Sequence, residues 1–175
     1  EQETSWSAAE RADAFRRLAD SRIDDAYRLA GFILGAPSDA RDAVHDAFVA
    51  AWRSWPRLRD PSKFDAWFKR IVVNTCRDRL RRASRQRTSE LDSRTAASAP
   101  DVEGAIVDKM IIEQAMATLK PDDRIVLALR YYQDLRLAEI AEVLEIPAGT
   151  VKSRLNHAHS RLRAAIERRR PGGGS

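Results

Sequence analysis

Cysteine occurs once in this chain, as Cys76. A single thiol excludes an intrachain disulfide framework and fits a reducing compartment. Histidine is also scarce, at His45, His157 and His159, and no glycine-rich phosphate loop is present. His45-Asp46 is too little for a metal hydrolase centre, which gathers several more ligands nearby. His157 and His159 lie two apart on a predicted helix and point to different faces, so they form no ligand pair. No apolar run approaches the ~20 residues that span a bilayer, and the first residues are polar and acidic, unlike a secretory leader. The expectation is a cytoplasmic, non-enzymatic protein with no metal, no cofactor and no membrane partner. Glycine and proline, seven of each, fall mostly between periodic segments, and strand-type alternation is nearly absent. The fold class expected is therefore all-α.

Charge is what the chain has in excess, and it is segregated. The formal net charge is +5. Residues 77–87 hold six arginines and one aspartate, and residues 152–170 hold seven Lys/Arg against one glutamate. Two separate basic blocks point to two contacts with a polyanion. A basic membrane-surface helix fits less well, because neither block carries a long bulky apolar face.

The periodicity predicts helices over 9–19 and 22–34, broken by Gly35-Ala36-Pro37. Ser38 or Asp39 is the expected cap of a third helix ending before Pro56. Residues 57–63 read as a loop and 64–85 as a further helix, with Trp67, Phe68, Ile71, Val72, Cys76 and Leu80 as its apolar stripe. From 86 to 103 the pattern stops, and this Ser/Thr/Ala-rich stretch reads as a flexible tether. Helices over 104–118, 121–132, 135–144 and 148–169 make a second bundle. The organisation expected is two small helical bundles, 9–85 and 104–169, joined by a flexible linker, with 170–175 as a linker or cloning scar.

The stretch from Leu135 to Leu162 carries the strongest functional signal. Leu135, Ala138, Ile140, Ala141, Val143 and Leu144 form one apolar helical face. Pro147 suits the opening of a new helix, and Gly149 is read as a close approach between the two helices. Val151, Leu155, Ala158 and Leu162 then face inward. Lys152, Ser153, Asn156 and His157 stay on the outer face, where such side chains reach base edges and phosphates. This is the layout of a DNA-binding helix-turn-helix.

The first half adds Asp39-Ala40-Arg41-Asp42-Ala43-Val44-His45-Asp46-Ala47-Phe48 with Trp52, then Phe64-Asp65-Ala66-Trp67-Phe68 and the run from Arg70 to Arg82. The second adds Leu119-Lys120-Pro121 and Val126-Leu127-Ala128-Leu129-Arg130-Tyr131-Tyr132. In this order, over residues 14–166, these motifs resemble an extracytoplasmic-function (ECF) sigma factor of bacterial RNA polymerase. The resemblance implies that 9–85 docks on core polymerase and melts the −10 promoter element, and that 104–169 reads the −35 element.

It also implies residue roles. Asn74 meets the non-template −10 strand, and Arg77, Arg81 and Arg82 neutralise phosphates. Residues 57–63 match a loop that captures an unstacked base, with Lys63 and Phe64 at its end. Trp55 and Phe64 border that loop, and for the tryptophan core packing is the stronger alternative. Asp39, Asp42, His45 and Asp46 match a docking face for the β′ coiled coil of polymerase. The family often has glutamine where His45 stands. Arg130, Lys152, Ser153, Asn156, His157 and Arg161 match −35 contacts, and arginine is frequent where His157 stands. Leu127 and Tyr131 are candidates for the surface that meets the β flap. An anti-sigma factor is a further partner the resemblance allows. Glu90, Asp92, Asp101 and Glu103 give the tether an acidic character suited to the RNA exit path or simply to solubility.

Two other readings remain open at this level: a stand-alone helix-turn-helix regulator, and a sigma-like interaction protein without promoter activity. Cys76 lies on an apolar stripe, so a buried, inert thiol is expected.

Overall fold

The computed structural model describes residues 8–58, 60–89 and 104–168. Among them there is no strand, and eight α-helices carry the fold. These are α1 (Ala8–Asp20), α2 (Ile23–Leu34), α3 (Pro37–Ser54), α4 (Phe64–Ser89), α5 (Gly104–Ala117), α6 (Pro121–Leu127), α7 (Leu137–Leu144) and α8 (Ala148–Glu167). No helix among the described residues is long and apolar enough to cross a membrane.

The breaks have local causes. Gly35 takes φ +80° and its N–H donates to the Gly31 carbonyl at 2.8 Å, closing α2 with a left-handed cap. Pro37 then opens α3 at the first helical position, with Ala36 as its cap, so neither Ser38 nor Asp39 caps it. Two short 3₁₀ turns, Trp55–Arg57 and Pro61–Lys63, stand at the two ends of the predicted loop. The second is capped by Asp60, whose carboxylate accepts from the Ser62 N–H at 3.0 Å. The hydrogen bonds from Ser62 hold that carboxyl below its ordinary range. The helix expected over 121–132 instead changes pitch: α6 runs into a π-helical turn, Ala128–Tyr132, where Gln133 N–H reaches Ala128 O at 3.0 Å.

In the N-terminal half, α2, α3 and α4 pack around Leu29, Ile33, Val44, Phe68, Val72 and Cys76, all nearly inaccessible. An aromatic cluster closes its end, with Phe64 stacked on Phe68 at 5.6 Å and edge-on to Trp55 at 5.7 Å. Burial pushes the Cys76 thiol up to about 12, against the opposing pull of Arg79. In the C-terminal half, Ile125, Val126, Leu129, Ile140 and Val151 form the centre.

The buried residues of both halves belong to one contiguous cluster. α4 packs on α6 and α7, and α2 on the π-turn. Arg124, itself buried, donates to the Ile33 carbonyl of α2 and to the Ala117 carbonyl at the end of α5, both at 2.9 Å. Phe32 and Tyr132 stack across the same seam at 5.0 Å. The sequence pattern separates two bundles without indicating this seam. The structure adds it.

Candidate nucleic-acid interface

The helix-turn-helix is built from α7 and α8. Arg136 N–H donates to the Glu139 carboxylate at 2.7 Å, fixing the start of α7. Leu135 therefore precedes the helix and is only half-buried. Ala138, expected inside, is exposed, because it falls on the outer side of the later helix start. Glu145 ends α7 in the left-handed region, at φ 53°. Ile146 N–H donates to Ala141 O at 3.1 Å, and the Pro147 carbonyl accepts from Thr150 and Val151 to begin α8. Gly149 does not mark a close approach: a Cβ there would meet nothing within 4 Å.

Val151, Leu155 and Ala158 are buried, and Leu162 is half-buried. Lys152, Ser153, Asn156 and His157 share the exposed side of α8. The first turn of α8 holds no acidic residue, so no carboxylate there offsets the helix's positive end or the exposed Lys152. Ser153 Oγ donates to Thr150 O at 3.0 Å, which leaves its lone pairs directed outward.

Two other predicted −35 residues serve the fold. Arg161 pairs with the buried Asp123 of α6, tying α8 to α6. Arg130 donates to the Leu135 carbonyl at 3.1 Å and lies 3.7 Å from Asp134, bracing the turn that leads into α7. Leu127 is buried and belongs to the core, whereas Tyr131 is 60% exposed and its hydroxyl lies 2.7 Å from His159 Nε2.

On α4, the residues at 74, 81 and 82 are exposed along one side, with Arg77 half-buried beside them. Arg77 donates to Asn74 Oδ1 at 2.7 Å and to Asp122 of α6 at 2.8 Å. Arg81 lies 3.7 Å from the other Asp122 oxygen. Lys63 is exposed at the loop end. Phe64 has to be corrected: it is 3% exposed and fills the aromatic cluster, so it forms core rather than a stacking surface. Trp55 is likewise core. Asp65, in the first turn of α4, is held by Arg22, the residue just before α2, and by Lys69 at 3.1 Å. Burial raises its carboxyl, and the two cationic hydrogen bonds outweigh this and hold it below the ordinary range.

Asp39, Asp42, His45 and Asp46 all lie exposed along α3. Arg79 of α4 reaches Asp46 at 2.5 Å and Asp42 at 3.8 Å, so this acidic stripe is partly neutralised from its own half. Among the described residues, no group of three or more His, Cys, Asp or Glu side chains is gathered as a metal site requires.

Arg70, Asp122 and Arg124 carry contacts that the sequence reading missed. Arg70 donates to the carbonyls of Glu142 at 2.9 Å and Val143 at 3.2 Å, and to the Glu145 carboxylate at 2.5 Å. A residue of the first half thus caps the negative end of α7 in the second. The tether residues from Glu90 to Glu103 and the tail beyond Arg168 lie outside the described residues. The expected tether boundary moves, because α4 continues to Ser89.

Comparison with known families and structures follows this division. Residues 18–86 match sigma-70 region 2 and residues 109–162 match sigma-70, region 4. An RNA polymerase sigma-E factor of Streptomyces avermitilis is 31% identical over 157 residues, covering 89% of this chain and 86% of that protein. The ECF RNA polymerase sigma factor SigM of Mycobacterium tuberculosis is 34% identical over 151 residues, covering 85% and 75%. Among solved structures, the sigma factor RpoE of Bartonella quintana, in complex with the anti-sigma factor NepR, shares the fold. Its TM-score is 0.66 at 22% identity, over 89% of this chain and 98% of that one. CnrH in complex with the cytosolic domain of CnrY gives a TM-score of 0.63 at 25% identity, over 91% and 96%.

Proposed function

The chain belongs to the ECF sigma factors of the sigma-70 family, and we propose that it is a dissociable, non-catalytic subunit of cytoplasmic RNA polymerase. It binds the core enzyme, directs it to promoters by their −35 and −10 elements, and helps open the DNA. In this reading residues 9–85 dock and melt, and residues 104–169 hold the upstream element. The observation that carries it is one chain presenting two separate DNA-compatible faces. Lys152, Ser153, Asn156 and His157 on α8 offer donors and acceptors at a helix shaped for the major groove. Asn74, Arg77, Arg81 and Arg82 on α4, with Lys63 nearby, offer an amide amid cations, suited to a separated strand.

A stand-alone regulator has no use for the second face, nor for the stripe of Asp39, Asp42, His45 and Asp46 on α3. That stripe is assigned to the β′ coiled coil, and exposed Tyr131 to the β flap. His157 in place of arginine predicts weaker demand for guanine at its base step, because an imidazole turns one ring nitrogen toward a base edge where guanidinium turns two N–H donors. An anti-sigma factor is a natural regulator, as the sigma factor RpoE was solved in complex with the anti-sigma factor NepR.

Run-off transcription tests the proposal, using a promoter library and bacterial core polymerase with and without the protein. Initiation from a shared two-element promoter only when the protein is present is the expected result. No initiation and no core binding would return the chain to the stand-alone regulator.

A further inference from the structure

Tyr131 is the most exposed large apolar side chain among the described residues, at 60%. Its place follows from the pitch change after α6. The π-helical turn Ala128–Tyr132 sends its last two side chains to different neighbours. Tyr132 stacks on Phe32 of α2 at 5.0 Å. Tyr131 instead meets α8, where its ring lies edge-on to His159 at 5.2 Å and 89°. Its hydroxyl is 2.7 Å from His159 Nε2. The Arg130 guanidinium sits 5.9 Å from the centre of the same ring. Either tautomer of a neutral imidazole completes the bond, because the hydroxyl donates to a bare Nε2 and accepts from an Nε2–H. Both partners are exposed, so in water the bond adds little to folding.

We propose that His159 is a positioning residue for polymerase docking. It holds the Tyr131 ring in place and supplies the hydrogen bond that the hydroxyl needs once the β flap covers it. The proposal rests on the assignment of Tyr131 to the flap above. Tyrosine suits such a contact because it joins a large apolar body to a polar tip. A partner that buries the ring strips water from that tip. A hydroxyl buried without a hydrogen bond weakens the association, whereas one already paired within its own chain does not. The edge contact with His159 also fixes the ring before the partner arrives, so less side-chain freedom is lost on docking. The Nε2 of His159 is directed at Tyr131. That separates its role from those of Lys152, Ser153, Asn156 and His157, which share the same helix and are assigned to the −35 element.

The asymmetry between an unpaired hydroxyl and no hydroxyl gives the test. Full-length protein with an N-terminal fluorescent label is titrated with bacterial core polymerase. A −35 duplex from the run-off selection is the control for α8, and urea denaturation is the control for folding. His159→Ala leaves the hydroxyl unpaired and should weaken core binding about five- to ten-fold. His159→Gln puts an amide at a similar reach and should stay within about two-fold of wild type. Adding Tyr131→Phe to His159→Ala removes the unpaired group. The double variant should therefore bind core tighter than His159→Ala alone. Duplex affinity and the urea midpoint should be the same in all four proteins. Unchanged core affinity in His159→Ala would overturn the proposal. A loss that neither glutamine nor the added Tyr131→Phe recovers would overturn it too, because His159 would then touch the polymerase itself. An equal loss on the −35 duplex would make His159 a DNA contact instead. No core binding by the wild type would remove the sigma-factor function, and the positioning role with it.

Discussion

α4 and α8 are the two helices assigned to DNA, and they solve the same problem under different constraints. α8 keeps its apolar stripe on Val151, Leu155 and Ala158 and leaves its other side to solvent. α4 is wrapped: α2 and α3 cover one side, and α6 and α7 approach another. Its arginines are consequently divided among tasks. Arg79 holds the α3 carboxylates, Arg70 caps α7, Arg77 and Arg81 meet Asp122, and Arg82 stays exposed. The difference teaches that a basic run is not a binding surface by itself, because neighbouring elements decide which charges reach a ligand.

The sharpest way to break the comparison is at the boundary between core and surface on α4. Phe64→Ala empties part of the aromatic cluster and should cost about 3–5 kcal/mol of folding stability, measured by urea denaturation. Lys63→Ala, one residue away and exposed, should leave stability within about 0.5 kcal/mol. Equal effects would put Phe64 back among the DNA contacts. The next largest effect lies on α8. Lys152→Ala combined with Asn156→Ala should weaken binding to a −35 duplex by roughly 100-fold, given about 1–3 kcal/mol per specific contact. Core-polymerase affinity should be unchanged. A loss that is equal on every DNA sequence would make both residues phosphate contacts. On α4 the counterpart is smaller. Asn74→Ala should slow open-complex formation about ten-fold by removing one polar contact to the separated strand. Collapse of core binding with normal opening would reassign that face.

The contrast between α4 and α8 also marks how much was legible in sequence. The inward and outward residues of α8 follow from spacing along one helix, and the structure keeps them where the pattern put them. The exposed acidic stripe of α3 was equally readable. Phe64 was less so, because a helix-opening aromatic beside a loop looks the same whether it packs down or reaches out. Only the positions of Phe15, Trp55 and Phe68 decide it. Gly149 was misread because small size is compatible with close approach but does not demand it. The seam was invisible. Arg70, Arg77 and Arg124 find partners 45 to 91 positions away, and periodicity within either half carries no register between them. The aspartate pair Asp122-Asp123 illustrates the loss of information. It reads as an ordinary acidic helix start, yet one member anchors α8 through Arg161 and the other faces α4.

The smallest predicted effect concerns how the two helices begin. α4 starts with Asp65, clamped between Arg22 and Lys69, whereas α8 starts without an acidic residue. The clamp lowers the Asp65 pKa in the folded protein. A carboxyl whose folded value is depressed binds protons less readily than in the unfolded chain. Its contribution is therefore fully present above the unfolded value near ~3.9 and is lost as pH falls through the folded value. The carboxyl is substantially exposed, so the contribution is limited to about 0.5–1 kcal/mol. Asp65→Asn should lower stability by that amount at pH 7, and the gap to wild type should close as pH falls below about 4. Denaturant melts of both proteins across pH 3 to 7 make the comparison. A gap that persists undiminished in acid would mean that Asp65 acts through packing rather than charge. The entry of α4 would then be fixed by the aromatic cluster alone, as α8 is fixed by its apolar stripe.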